Sequence, residues 1–343
     1  MNITTTESRF DASAKEHATG ATTLAAPAVS IVIPAYNVAQ FIGETLASVF
    51  AQTFNDYEVI VINDGSPDTP QLEAVLASWM NRINYLKQEN RGLSGARNTG
   101  VRAARGKLIA LLDSDDAWEP DYLATQIEIM RRDEAIDVLY CDAHIFGEGV
   151  PANLKFTDGS PSAGEVSFES LVRQRCNVMV SVTARRATLV NVGLFDESLR
   201  SSEDFDMWLR IAKAGGRIAY HRQPLVRYRR RPGSLSADPV WMCNHILAVF
   251  DKAARTMNLN ARETEVLRGE QERFQRTLCL YEGRRAFFDG DTDAAVRKLT
   301  EANRLSKSSK LTASLLLLRY APGLLRRVYD LRDRFVFRAT TRV

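Results

Sequence analysis

The sequence predicts an α/β protein: a mostly parallel sheet with helices on both faces, followed by a C-terminal α-helical appendage. Three observations carry this. From Val29 to about Asp116, β-branched apolar runs alternate with segments whose apolar residues recur at helical spacing, the pattern of a parallel sheet covered on both sides. The runs end in small polar clusters, Pro34 to Asn37, Asn63 to Gly65 and Asp113 to Asp116. Beyond about Asp238 the strand-like alternation stops and helix-period patterns continue. With 343 residues, 45% of them hydrophobic, the chain can bury one large core or two unequal ones, which excludes a disordered or fibrous protein.

Taken in order, "VSIVIPAYN" is a buried strand, Val29 to Ile33, stopped by Pro34. A helix follows in "VAQFIGETLASVFAQTF", where Phe41, Ile42, Leu46, Val49 and Phe50 share a face. "YEVIVINDGS" repeats the strand, and "TPQLEAVLASWM" repeats the helix, with Thr69 as cap and Pro70 in the first turn. A short strand in "INYLKQ" leads to "ENRGLSGARNTGVRAAR", a glycine-punctuated loop running into a helix, and then to the strand of "KLIALLDSDD". The helix "PDYLATQIEIMRRD" and the strand "AIDVLYCDAHIF" continue the domain, and Gly147 to Gly164 forms a long surface loop. In the appendage, "LYEGRRAFFDGDTDAAVRKLTEANRLS" spaces small and aromatic residues as in one tetratricopeptide unit, too few copies for a self-standing array. The organisation expected is a flexible tail over 1–27, an α/β domain over 28–237 and a helical region over 238–343.

The net charge of +3, from 45 Lys and Arg against 42 Asp and Glu, is too close to balance to imply nucleic-acid binding by the whole chain, and no nucleic acid is expected as a partner. Basic charge is concentrated in residues 303–343, at +8 against −5 for the rest. There, "KLTASLLLLRYAPGLLRRVYDLRDRFVFRAT" combines Leu315 to Leu318, Leu324, Leu325, Val328, Leu331 and Phe335 with recurring arginines. Such a helix suits either an anionic membrane surface or packing onto its own domain or a second subunit of a homo-oligomer. Four scattered cysteines without a CxxC pair fit buried thiols in a reducing compartment. No stretch approaches the ~18 apolar residues of a membrane span. The first 27 residues lack the apolar core of a secretory signal. The expected location is cytoplasmic, with peripheral attachment to the cytoplasmic face of the membrane if the helix binds lipid.

Carboxylates crowded at a strand end repel one another, so "LLDSDD" needs a divalent cation, nearby Arg or Lys, or plain solvation. Mg²⁺ and Mn²⁺ take oxygen ligands and are commonly held by one or two carboxylates plus substrate phosphates. A phosphatase reading fails because Ala117 stands where the DxDx(T/V) motif has Thr or Val, and a dehydrogenase fails because no GxGxxG follows the first strand. In "SSEDFDMWLRIA", Met207, Trp208, Leu209 and Ile211 give a helix an apolar side that Ser201 or Ser202 could cap, with Glu203 and Asp204 in its first turn. Those acids could complement the helix dipole or do chemistry.

Six motifs, "VSIVIPAYN", "VIVINDGS", "RGLSGARNTG", "LLDSDDAWEPDYL", "GLFDESLRSSEDFDMWLRIA" and "VRYRRRPGSLS", occur in the order and spacing that resembles the family-2 inverting glycosyltransferases of the GT-A, Rossmann-like fold. The resemblance covers about 60% of the chain, Val29 to Ser236. It implies a nucleotide pocket lined by Pro34, Ala35, Tyr36 and Asn37, with Asp64 at the base and Arg97 against the nucleotide. It implies a DxD element, Asp113-Ser114-Asp115, for ribose, diphosphate and a Mn²⁺ or Mg²⁺ cofactor held by Asp113 and Asp115. Asp204 matches the catalytic base, with Glu203 beside it. Where the family often reads Tyr-Arg-x-His-Pro, this chain has Arg231, which cannot ligate a metal and would contact diphosphate directly. The chemistry agrees: a metal steadies the departing nucleoside diphosphate and one carboxylate deprotonates the attacking hydroxyl, and a single displacement with no protein nucleophile inverts the anomeric configuration. The implied partners are a nucleotide-diphospho-sugar donor and a saccharide or lipid-linked acceptor, in a setting such as bacterial cell-surface polysaccharide biosynthesis. A catalytically silent nucleotide-sugar-binding adaptor is the alternative, one that would have no need of the Glu203-Asp204 pair.

Overall fold

The computed structural model describes residues 26–179, 181–231, 234, 238–324 and 326. Most of the expected tail lies outside the described residues, as do Pro232, Gly233, Leu235 and Ser236 of the last motif and Leu325, Val328, Leu331 and Phe335 of the basic segment. The elements run β1 (Val29–Ala35), α1 (Ile42–Phe50), β2 (Tyr57–Asp64), α2 (Thr69–Leu76), β3 (Asn84–Gln88), α3 (Gly92–Ala103), β4 (Leu108–Leu111), β5 (Ala117–Trp118), α4 (Tyr122–Arg132) and β6 (Ile136–Phe146). They continue with α5 (Phe156–Gly159), α6 (Phe168–Val172), β7 (Val182–Arg185), α7 (Arg186–Asn191), α8 (Glu203–Lys213), β8 (Arg217–Arg229), α9 (Pro239–Thr256), α10 (Ala261–Asp289), α11 (Thr292–Ser306) and α12 (Ser309–Tyr320).

The strands form one sheet in the order β3, β2, β1, β4, β7, β6, β8, β5. β3, β2, β1 and β4 are mutually parallel, β7 runs antiparallel between β4 and β6, and β5 is antiparallel to β8. Alternation along the strands feeds two cores. Val32, Ile60, Ile62, Ile109 and Leu111 face one side with α3 and α8, while Ile31, Ile33, Val59, Val61 and Ala110 face the other with α1, α2 and α4. Pro34 does not stop β1, which continues to Ala35. Val32 O accepts from Leu112 N, so residues of its parity bond toward β4; Pro34, two further on, points where β4 has ended and no donor is needed.

Two local expectations are corrected. The glycine-punctuated loop gives way to helix already at Gly92, and Gly100 serves packing: a Cβ there would stand 2.3 Å from Val32 Cγ1 and 2.9 Å from Ile62 Cδ1. Thr69 lies inside α2, whose N-cap position is Asp68, and its hydroxyl donates to Ser66 O at 2.6 Å.

Helices α9 and α10 share the first core through Val249, Phe250, Ala253, Val266, Leu267, Phe274 and Leu278. Lys252 of α9 extends its Nζ to Asp196 Oδ2 and Asp206 Oδ1, both at 2.7 Å. The α10–α11 hairpin turns at Gly290 (φ +88) with Asp291 capping α11, and it closes where a Cβ on Gly283 would meet Leu299 Cγ at 2.7 Å. Phe287, Ala295 and Leu318 make a small separate cluster under α12. No described helix is long and apolar enough to cross a membrane. All four cysteines are buried and free.

Candidate active site

The carboxyl ends of β2, β1 and β4 lie side by side, which brings the three polar clusters of the sequence to one rim of the sheet. At the end of β1, Pro34 and Ala35 are buried, Tyr36 is 50% exposed and Asn37 adopts φ +54. Asn37 N donates to Ser66 Oγ at 2.7 Å, tying this loop to the one after β2. There Gly65 has φ +65, and any Cβ would stand 2.8 Å from Asn90 N. Asp64 is buried and accepts from Gln88 Nε2 (2.6 Å) and Arg91 N (2.9 Å).

The loop after β4 is held from below by Thr45 of α1, whose hydroxyl lies 2.9 Å from Ser114 O and 2.7 Å from Asp116 O. Ser114 is buried, while Asp113 and Asp115 keep part of their surface. Arg231 Nε donates to Asp115 Oδ2 at 2.8 Å, and Arg229 Nε donates to Asp115 O at 2.7 Å. Arg229 also pairs with Glu44 and lies over the rings of Phe41 and Phe146, 5.1 and 4.3 Å from their centroids. Asp116 is buried and accepts from Arg229 N at 2.8 Å; burial, with Asp113 and Asp115 close by, pushes its pKa well above the usual carboxylate range. It fastens β8 to the DxD loop and does not cap α4, whose N-cap position is Asp121.

Arg97 is 1% exposed. Its Nη2 donates to Asp113 Oδ1 at 2.7 Å and its Nη1 to Glu203 Oε1 at 2.5 Å. Burial alone would lower the guanidinium's pKa, but the charges of Asp113, Glu203 and Asp204 outweigh it and raise it. Asp204, next in the first turn of α8, is half-buried by surface area, yet its carboxyl is enclosed by protein; its pKa is pushed up to about 7 by desolvation first and by Glu203's charge second. Arg97 and the Phe205 N–H, which Asp204 Oδ1 accepts at 2.7 Å, oppose the rise. Ser202 stands at the N-cap with φ +58 but makes no side-chain capping bond, and Ser201 Oγ turns to Met242 Sδ at 3.9 Å, so neither serine caps as expected.

Two participants were not singled out in the sequence. Asn98, beside Arg97, donates through Nδ2 to Phe195 O (2.9 Å) and Glu197 Oε1 (3.0 Å) and accepts from Phe195 N (2.9 Å). Arg229 sits in a run of arginines, where nothing local separates the member that turns inward. His221 lies within β8 opposite Cys141 and 3.4 Å from Gln126 Nε2, its pKa lowered by burial. Among the described residues no three His, Cys, Asp or Glu side chains group as a metal site.

Residues 30–177 match the family model for glycosyl transferase family 2. The chondroitin synthase of Escherichia coli is 32% identical over 216 residues, 61% of this chain and 30% of the relative. The uncharacterized glycosyltransferase EpsJ of Bacillus subtilis is 32% identical over 227 residues, 62% and 64% of the two chains. The chain spans 30 to 64% of the length of several other such curated relatives. Two solved structures share the fold at 20% identity. S. aureus TarS 1–349 in complex with UDP-GlcNAc aligns over 89% of this chain and 91% of that one, with TM-score 0.58. The mannosyltransferase PcManGT of Pyrobaculum calidifontis with GDP-Man and Mn²⁺ aligns over 90% and 88%, with TM-score 0.57. Residues 30–177 of this chain therefore make up a glycosyl transferase family 2 domain, within a GT-A type fold shared with these two structures.

Proposed function

We propose that the chain is an inverting glycosyltransferase that moves a sugar from a nucleotide-diphospho-sugar to a hydroxyl of a saccharide or lipid-linked acceptor, with catalysis in residues 28–237. The observation that carries this reading is the cluster itself: Arg97 joins Asp113 of the DxD loop to Glu203, which sets the neighbouring Asp204, its pKa pushed up to about 7, beside that loop. A base poised near the working pH is the group a hydroxyl nucleophile requires. That TarS holds UDP-GlcNAc and PcManGT holds GDP-Man supports the donor class.

Asp113 and Asp115 suit Mn²⁺ or Mg²⁺: both are hard oxygen donors with partly exposed carboxylates, and each has one oxygen on an arginine. With no third ligating side chain grouped beside them among the described residues, donor diphosphate oxygens would complete the shell. A bound cation would neutralise charge on the departing nucleoside diphosphate. The protein's own part is to hold the donor against the β1 and β2 loops, to offer Arg231 to the diphosphate, and to take the acceptor's proton on Asp204. Arg231 supplies a bidentate donor where metal ligation is not possible for its type.

The exposed side of α12, Leu316, Leu317 and Tyr320 with Lys310 and Arg319 nearby, supports docking on an anionic membrane surface at the cytoplasmic face, where a lipid-linked acceptor would be met. The test of the enzyme reading is Asp204→Asn. Calorimetry with a panel of nucleotide sugars and Mn²⁺ should show donor affinity retained, while transfer falls by about 10²–10⁴. Unchanged turnover would remove Asp204 as base, and tight donor binding by the unaltered chain without turnover on any acceptor extract would favour the adaptor.

A further inference from the structure

We infer that Arg97 is a positioning residue, a buried strut that sets the distance between the donor-binding loop and the helix carrying the base. The inference rests on the glycosyltransferase reading and adds to it a role for a side chain that the family resemblance would lay against the nucleotide. Three features of the geometry point to the strut.

First, the guanidinium divides its two terminal nitrogens between two elements far apart in the sequence. Nη2 takes Asp113 in the loop after β4, and Nη1 takes Glu203 in the first turn of α8. A planar fork fixes both directions at once, which a flexible ammonium could not do. Second, both ends of the Arg97 to Glu203 contact are shut away from solvent, with side chains 2% and 6% exposed, so water cannot substitute for either partner. Breaking such a pair leaves a buried charge uncompensated and the structure must move to solvate it. Third, the neighbouring Asn98 clamps Phe195 through both its backbone groups and reaches Glu197. Consecutive residues of α3 therefore hold both ends of the segment 195–203, and the helix behind them is pinned close to the sheet by Gly100. Glu203 is then the strut's far anchor, and Asp204, one residue on, is the group whose placement the strut decides. In a single displacement the base and the leaving group lie on opposite faces of the anomeric carbon, and a misplacement near 1 Å is worth about a hundredfold in rate.

The experiment compares Arg97→Lys, Glu203→Ala and Glu203→Gln in the full chain. Affinity for UDP and GDP with Mn²⁺ is measured by calorimetry, turnover as release of nucleoside diphosphate from whichever nucleotide sugar the unaltered chain uses, and the thermal midpoint as a control. A strut predicts that Arg97→Lys and Glu203→Ala each lose about a hundredfold in kcat while nucleoside diphosphate affinity changes by less than about tenfold. Glu203→Gln, which can still accept from Nη1, should recover most of that loss. The two damaging changes should be non-additive when combined, since each removes the same link. If Arg97→Lys instead loses about a hundredfold in nucleoside diphosphate affinity while Glu203→Ala keeps its turnover, Arg97 is a ligand contact and the strut is overturned. Parallel falls of affinity, turnover and midpoint, with Gln no better than Ala at 203, would overturn it as ordinary structural damage. Failure of the glycosyltransferase reading looks different, because the unaltered chain itself would bind neither nucleotide.

Discussion

Helices α8 and α12 have nearly the same length, 11 and 12 residues, and each carries a dense apolar run, yet the protein treats them in opposite ways. In α8, Met207, Trp208, Leu209 and Ile211 are all buried and the three acids of the first turn are all engaged by cations or backbone. In α12, Leu315 and Leu318 are buried while Leu316, Leu317 and Tyr320 face solvent, and the helix has no acid at all. Apolar content alone therefore does not decide depth. What decides it is whether the polar residues of the helix find partners inside, because an unpaired buried charge costs more than any leucine returns. α8 brings its own charges into the interior, where Arg97, Arg210 and Lys252 meet them.

The largest expected effect separates the two cores. Leu209→Ala should destabilise by about 4 kcal/mol, since it opens a cavity between sheet and helices that cannot collapse. Leu318→Ala, equally buried but in a cluster of three residues, should cost about 2 kcal/mol and loosen only α11 and α12. Urea unfolding followed by hydrogen exchange reads both numbers and the extent of each opening. Equal losses with global exchange in both variants would mean that the α12 cluster is continuous with the main core.

A second expectation concerns the acids themselves. Asp204's pKa of about 7 lies above its ordinary 3.8, so the carboxyl is protonated below that point and the base is lost. Turnover should therefore rise with pH through about 7 and fall about tenfold for each unit below it. Stability runs the opposite way: the folded state favours the protonated acid, so this group's contribution is fully present below the unfolded value and is lost as pH climbs through the folded one. A pH–rate profile with its acid limb near 4 would show that Asp204 is solvated in solution and would remove it as the poised base.

How much of this was legible in the sequence follows from range. Strand ends and helix faces were readable because period-two and period-3.6 patterns are local, and the DxD and Glu-Asp pairs were readable as short motifs. The antiparallel insertion of β7 between β4 and β6 was not, since pairing partners are set by the whole sheet. In "ENRGLSGARNTGVRAAR" the point where loop becomes helix was not readable, because glycine is a poor helix former in isolation. Gly100, further along the same helix, lets α3 approach Val32 and Ile62, contact partners 68 and 38 residues earlier in the chain. For the same reason Arg97 could be named but its two partners, 16 and 106 residues away, could not.

Lys252 offers a smaller break in the same comparison. It enters from α9 to meet Asp206, which is wholly buried, and Asp196, whose pKa of about 2 reflects burial outweighed by this cation and by Ser198. Lys252→Met should cost about 2–3 kcal/mol at pH 7, less than a fully orphaned charge because Arg210 remains on Asp206. Asp196's share is present above its unfolded value and is lost as pH falls toward 2, so the difference between the two proteins should narrow in acid. A gap that stays constant from pH 7 to 3 would assign the loss to packing of the lysine stem.

The smallest effect on stability, and the one that sharpens the contrast most, is expected at Leu317. This side chain is 41% exposed on α12, so Leu317→Glu should leave the unfolding midpoint within about 0.5 kcal/mol of the unaltered protein. On vesicles containing anionic lipid the same change should weaken binding severalfold, since it removes apolar area and places a negative charge among Lys310, Arg319 and Arg326. Raising the salt concentration should weaken the unaltered protein in the same direction, because contacts between solvent-exposed charges are screened within about a Debye length. If Leu317→Glu binds vesicles as well as the unaltered chain but is destabilised by more than about 1 kcal/mol, then Leu317 is covered in solution. In that case α12 resembles α8 after all, with a partner on its second face.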